Sequence, residues 1–265
     1  MPTAKPYSLL SNSRFYVLVS TVLLSIIVVA FFRLTISSDQ LFYIRTQQFY
    51  GLLCIFYWYT ALIISPIGYV IGKQRTKHIE FARRAIGVSA AYFAVLHAAV
   101  ALWGQLGGFR GVGGLSPLFQ WSLLAGLFGV VVLLLMAATS FDGVIKFMTF
   151  RRWKWLHRLV YVGGILAVLH IWSLGTHVGY GGIQLVAFVA LVVLSGLEMF
   201  RLVTILARKH TSLANKRVFY SLFAGLWLVW IGLIASIPLA VENYRDVHSQ
   251  HMDTESHPHE SGDAH

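Results

Sequence analysis

The chain has 265 residues, 57% of them hydrophobic and only 12% charged, with a mean hydropathy of +0.69 and a formal net charge of +11. A soluble domain carries about a quarter of its residues charged, so this composition excludes a soluble protein and requires apolar residues that face lipid. The basic excess does not form one patch; it is divided among short segments between apolar runs, which excludes nucleic acid as its partner.

Runs of about 18 or more apolar residues are long enough to cross a hydrocarbon core of roughly 30 Å. Seven occur, at about 15–34, 50–71, 85–106, 119–140, 156–174, 183–206 and 218–240. They leave no room for a soluble catalytic domain. Lys and Arg concentrate before the first run (Lys5, Arg14) and in three alternate connections. These hold Lys73, Arg75, Lys77, Arg83 and Arg84; then Lys146, Arg151, Arg152, Lys154 and Arg158; then Arg201, Arg208, Lys209, Lys216 and Arg217. The opposite side has only Arg33, Arg45, Arg110 and Arg245. The positive-inside pattern places the N-terminus in the cytoplasm and the C-terminus outside.

The first run follows a basic flank, is long, and lacks an A-x-A-like site after it, so it is expected to be an uncleaved span. Cys54, the single cysteine, falls inside the second run and allows no intrachain disulfide. Pro66 and Pro238 lie near the expected ends of the second and seventh spans, where a helix is stopping. Gly107–Gly114 has neither the Gly-Lys-Ser/Thr ending nor the strand context of a phosphate cradle, and is expected to be a flexible connector. Glu198 is the carboxylate well inside a span, and Arg201, one helical turn on, is its expected ion-pair partner.

Ionisable side chains inside a bilayer are costly and mark functional candidates. His97 (AYFAVLHAAVAL) and His170 (ILAVLHIWSL) lie deep in the third and fifth runs, and His157 (WKWLHRLVY) lies near the inner end of the fifth. His97 follows Arg84 by 13 residues and His170 follows His157 by 13. Each therefore sits about 20 Å beyond a basic edge, in one layer nearer the outer face. Two imidazoles facing across a bundle suit bis-axial ligation of heme iron; the bland alternative is that each bonds a neighbouring helix. Ala90, Ala91, Ala94, Ala98, Ala99, Gly163, Gly164 and Ala167 would leave room for a flat macrocycle. On one ideal helix His157 and His170 would stand about 140° apart, so a distortion is expected between them, with Gly163-Gly164 the candidate position.

The strings RRAIGVSAAYFAVLH (83–97) and RRWKWLHRLVYVGGILAVLH (151–170), with LMAATSFD (135–142) and Ser65-Pro66, resemble the ferric reductase-like transmembrane domain family. The nearest likeness is to the heme-binding membrane subunits of bacterial periplasmic methionine sulfoxide reductase systems, over roughly residues 50–206. The resemblance implies an all-α, polytopic membrane bundle with a six-helix heme core, to which this chain adds a seventh transmembrane helix. The expected division is a cytoplasmic N-terminus (1–14), a six-span heme b domain (15–206), a cytoplasmic loop with the seventh span (207–240), and a His- and acid-rich outer tail (241–265).

By the resemblance, His97 and His170 match ligands of one heme b, and His157 matches an inner histidine. Two-heme relatives carry a second histidine on the third span where this chain has Arg83 and Arg84, so a second heme would lack its usual partner. His157 is thus either an inner ligand or an interfacial residue bonded to lipid or to a loop carbonyl. Arg83, Arg84 and Arg158 could pair with heme propionates or with an anionic flavin or quinone headgroup. Nothing resembling a nicotinamide- or flavin-binding domain is present. The expected function is electron transfer by a subunit of a bacterial inner-membrane oxidoreductase that requires a partner chain. Electrons would pass from a cytoplasmic flavin, flavoprotein or membrane quinone, through bis-His heme b, to an outer acceptor or a respiratory or photosynthetic complex subunit. The alternative is a heme-free accessory subunit that handles metal through its tail, where His248, His251, His257 and His259 could form a weak site.

Overall fold

The computed structural model describes residues 7–174, 181–209, 215, 217–233 and 235–236. The tail histidines, Pro238 and the end of the seventh run lie outside those residues. Among the described residues there is no strand, and six helices are long and apolar enough to cross a membrane: Ser13–Thr35, Asp39–Ile71, Ile79–Gln105, Pro117–Ala138, Phe150–Ser173 and Val186–Ala207. The seventh run appears as a shorter apolar helix, α10 (Arg217–Leu233).

The chain divides into two compact units, Met1–His170 and Ile171–His265. In the first, α1 (Tyr7–Thr35), α2 (Asp39–Ile71) and α3 (Lys73–Ala99) run as successive antiparallel helices. Ser38 caps α2 by accepting the Leu41 amide, and an Arg33–Asp39 ion pair of 2.5 Å spans the short connection. Pro66 lies near the end of α2 as expected, buried within its last turns, and the helix ends at Ile71. One expectation fails at the next connection. The basic segment from Lys73 is not a loop but the first turns of α3, because one residue, Gly72 at φ +98°, reverses the chain. Gly68 lets the returning helix close in: a Cβ there would lie 2.9 Å from Thr76 Oγ1.

Beyond Ala99 the helix widens into a π-helical segment, Val100–Gln105. The Gly-rich stretch is also more ordered than expected. Gly107 and Gly108 take positive φ and lead into the short helix α4 (Phe109–Gly113). Next come α5 (Pro117–Ala138), with proline in its first turn, the short α6 (Asp142–Met148) and α7 (Phe150–Leu156), and α8 (Leu159–Leu174).

The core of this unit joins α1, α2, α3, α5 and α8 through Val28, Tyr50, Cys54, Trp58, Ala90, Ala91, Phe93, Ala94, Leu133 and Val160. Phe93 is fully enclosed, with Tyr50 and Tyr57 rings 5.8 and 5.5 Å away. The small residues on α3 allow these aromatics to approach its backbone, the packing mode of helices that gain nothing by burying oil from oil. Buried hydroxyls tie the layer together: Thr21 to Ser89 at 2.7 Å, Ser25 to Tyr92 at 2.8 Å, and Tyr50 donating to the Ser25 carbonyl at 3.0 Å. Large apolar side chains such as Leu23, Ile26, Ile27, Phe56, Leu127 and Phe128 point outward, as the bilayer-facing composition requires.

In the second unit α9 (Gly181–Lys209) meets α10. The Trp227 indole donates to the Val192 carbonyl at 3.2 Å and lies over Gly196. Phe200 sits edge-on to Phe219 and Phe223. Glu198 and Arg201 form the expected ion pair, at 2.8 Å and with little exposure.

Candidate functional site

α3 and α8 bring His97 and His170 together. Their ring centroids are 6.1 Å apart and their planes meet at 90°. Equal depth along two helices of one bundle predicts this encounter, and the structure contains it.

Each imidazole is held by the same device. His97 Nδ1 lies 2.9 Å from the Gln47 carbonyl of α2, and His170 Nδ1 lies 2.8 Å from the Ser122 carbonyl of α5. A carbonyl can only accept, so Nδ1 carries the proton in both rings and Nε2 keeps its lone pair. Four residues beyond each carbonyl stands a glycine, Gly51 after Gln47 and Gly126 after Ser122. In a helix, residue i+4 lies directly over the carbonyl of residue i. A Cβ at Gly51 would come 2.9 Å from His97 Nδ1, and one at Gly126 would come 2.8 Å from His170 Nδ1. The missing methyl groups are what admit the rings to these carbonyls. Ser122 Oγ also donates to the His170 carbonyl at 3.3 Å, which closes a reciprocal link between α5 and α8.

The His97 side is buttressed further. Gln105, at the end of the π-helical segment, directs its side-chain amide to the Gln47 side chain. Gly104 makes room for the Tyr43 ring beside it. π-helical turns concentrate at functional sites because they re-aim the residues around them; this one begins three residues after His97.

The pair has the dimensions of an axial ligand set. Metal–imidazole bonds are about 2.0 Å long, so rings on opposite sides of one ion place their centroids roughly 6.3 Å apart. The observed 6.1 Å meets that spacing. Both Nδ1–H groups bonded to backbone carbonyls is the usual support of metal-bound histidine. Among the described residues no group of three His, Cys, Asp or Glu side chains could hold a bare metal ion, so the two histidines suit an ion whose other ligands come with a macrocycle.

His157 lies elsewhere. It occupies the turn between α7 and α8, with Nε2 3.2 Å from the Thr139 hydroxyl and its ring 4.1 Å from the Trp153 ring. Trp153 Nε1 donates to the Thr139 carbonyl at 2.9 Å. The turn at His157-Arg158 also removes the angular conflict between His157 and His170, since one continuous helix does not join them. The expected distortion at Gly163-Gly164 is absent. α8 runs straight through both, and Gly163 instead receives the Trp58 ring, which a Cβ would meet at 3.1 Å.

Of the three arginines, Arg83 donates from Nε to the Ala61 carbonyl at 2.8 Å. Arg84 pairs with Asp142 at 2.5 Å and lies 5.7 Å from the centre of the Trp153 ring. Arg14 reaches the same carboxylate at 3.4 Å. The Arg84 hydrogen bond, and the charges of Arg84 and Arg14, hold the Asp142 carboxyl below the usual carboxylate range against a small opposing cost of burial. Arg158 lines an open cavity with Arg151, Arg152, Lys154 and Trp155.

The partners in this site are the part that sequence reading misses. Gln47 and Ser122 act through backbone carbonyls, which carry no side-chain signal. Gly51 and Gly126 do leave one, since an isolated glycine inside an apolar helix marks a close approach.

Residues 46–168 match the family model of the ferric reductase like transmembrane component. Three relatives bear the name protein-methionine-sulfoxide reductase heme-binding subunit MsrQ. The protein from Ralstonia nicotianae is 32% identical over 116 residues, 42% of this chain and 50% of the relative. That from Herminiimonas arsenicoxydans is 36% identical over 92 residues, 34% of this chain and 41% of the relative. That from Deinococcus radiodurans is 34% identical over 125 residues, 46% and 57%. The chain spans about half the length of the curated relatives it matches. No solved structure matches the chain. The matched stretch takes in His97, His157, Gly51 and Gly126, and stops just short of His170.

Proposed function

We propose that the chain is a membrane electron-transfer subunit that holds one heme b between His97 and His170. The observation that carries this reading is the facing pair, 6.1 Å between centroids with both Nδ1 atoms committed to backbone carbonyls. The relatives' printed name, a heme-binding subunit, supports it. When bound, heme supplies an iron that takes up and gives up one electron at a time.

The chain's own residues do the rest. Gln47 and Ser122 fix the tautomer and the ring orientation, so that both Nε2 lone pairs face the space between the helices. The carbonyl bonds also make each imidazole a stronger base toward iron. Held by both histidines, a heme would have no position left for oxygen, which suits electron transfer rather than oxygen chemistry.

Electrons enter from a cytoplasmic flavin or a membrane quinone and leave to an outer acceptor or partner subunit, with the N-terminus inside and the protein in the bacterial inner membrane. The uneven distribution of Lys and Arg supports that orientation. Arg83, Arg84 and Arg158 give the inner end a positive potential for an anionic flavin or quinone group. Arg158 has the freest guanidinium of the three: Arg83 holds a carbonyl and Arg84 a carboxylate. His157, bonded to Thr139 and stacked near Trp153, acts at this inner end and is not needed for the main heme.

The reduced-minus-oxidised visible spectrum of the purified full chain, expressed with heme supplied, tests the reading. A sharp alpha band in the cytochrome b region is expected. Its absence sinks the proposal and favours a heme-free accessory subunit.

A further inference from the structure

Arg151, Arg152, Lys154 and Arg158 surround one open cavity of about 530 Å³ with the Trp155 indole. Positions 151, 155 and 158 are spaced four and three residues apart, which stacks them on one side of α7 and the turn that follows. The salt bridges of the described residues involve Arg14, Arg33, Arg84 and Arg201, and none of these four cations. The carboxylate nearest in sequence, Asp142, is occupied by Arg84 and Arg14. Four cations held around one concavity, with no counter-charge paired to them among the described residues, call for an anion, and guanidinium groups match phosphate oxygens in planar pairs.

The surroundings indicate where that phosphate comes from. The same segment exposes large apolar rings: Phe147 is 90% exposed, Phe150 64% and Trp155 69%. It lies at the start of the Phe150–Ser173 span. A soluble phosphate compound offers nothing to Phe147 and Phe150. A phospholipid offers both parts, acyl chains for the rings and a phosphodiester for the cations, at the depth where aromatic and basic residues gather. A zwitterionic headgroup brings its own ammonium and would meet four like charges. We propose that this cavity binds the phosphate headgroup of an anionic phospholipid, an interaction independent of the heme reading.

The test uses the full chain, purified in detergent and stripped of lipid, then titrated with phosphatidylglycerol or phosphatidylcholine in mixed micelles, with bound lipid counted by native mass spectrometry. Wild type is expected to retain phosphatidylglycerol and not phosphatidylcholine. Arg151→Gln/Arg152→Gln/Lys154→Gln, all at exposed positions, is expected to bind about tenfold more weakly or worse. Arg151→Lys/Arg152→Lys keeps the charge and should recover most of the binding. Gel-filtration elution and helical circular dichroism report whether each variant folds. Equal retention by wild type and the triple Gln variant overturns the proposal, and so does equal retention of both lipids. Displacement of phosphatidylglycerol by millimolar inorganic phosphate or flavin mononucleotide also overturns it, by assigning the cavity to a soluble phosphate compound.

Discussion

His97 and His170 approach each other from α3 and α8 at 6.1 Å between ring centroids, and each donates its Nδ1–H to a carbonyl of another helix, α2 for His97 and α5 for His170. Four helices thus meet at the two rings. His97→Ala or His170→Ala is therefore expected to abolish the main reduced-minus-oxidised signal. His157→Ala, which removes a ring bonded to Thr139 instead, should leave most of it. Equal loss in all three variants would point to a different ligand pair or to two coupled hemes.

The glycine seats give a sharper test than the histidines themselves. Gly51→Ala and Gly126→Ala each place a methyl group within 3 Å of an imidazole nitrogen, and that ring must move off its carbonyl. Each variant should shift or broaden the alpha band and cost about 1–3 kcal/mol by thermal unfolding. Gly87 on α3 and Gly129 on α5 have nothing within 4 Å of a would-be Cβ. Alanine there should leave the spectrum unchanged and be neutral or slightly stabilising, since glycine is the poorer helix former. Spectra unaltered by alanine at positions 51 and 126 would refute the seat.

Asp142 links α1, α3 and the α5–α6 turn through Arg14 and Arg84. Its carboxyl is more acidic in the fold than in the unfolded chain, above all through the Arg84 hydrogen bond. The linkage sign follows. The contribution is fully present above the ordinary carboxylate range and is lost as pH falls through the lowered folded value. Wild type should therefore melt higher than Asp142→Asn near neutral pH, and the gap should close on acidification. The pair is largely exposed, so the gap is small. A gap that widens toward acid would contradict the assignment.

In α9, Glu198 and Arg201 pair at 2.8 Å with side chains only 15% and 21% exposed. Arg201→Ala takes the ion-pair partner from a largely buried carboxylate, so it should lower stability by about 3 kcal/mol. Replacing both by leucine should recover much of that loss. Thermal melts of the single and double variants in one detergent measure the difference. A double variant no better than the single would show that the charges act separately.

The amino-acid sequence by itself determined the membrane class, the approximate spans and the pairing of His97 with His170. These follow from the length of apolar runs and from the fixed rise of a helix, which are properties of the chain taken one segment at a time. It also placed the Glu198–Arg201 contact, a matter of helical spacing. The turns were only partly legible. Pro66 reads as lying near a helix end, and α2 does end soon after it, at Ile71. The basic segment after Gly72 reads as a loop, yet it is helical, because one glycine at positive φ suffices to reverse the chain. Only the tertiary structure decided what holds the two histidines. The carbonyls of Gln47 and Ser122 come from helices remote in sequence, and every residue has a carbonyl, so no residue type announces which one is used. Gly51 and Gly126 become meaningful once an imidazole is seen lying where their side chains would be.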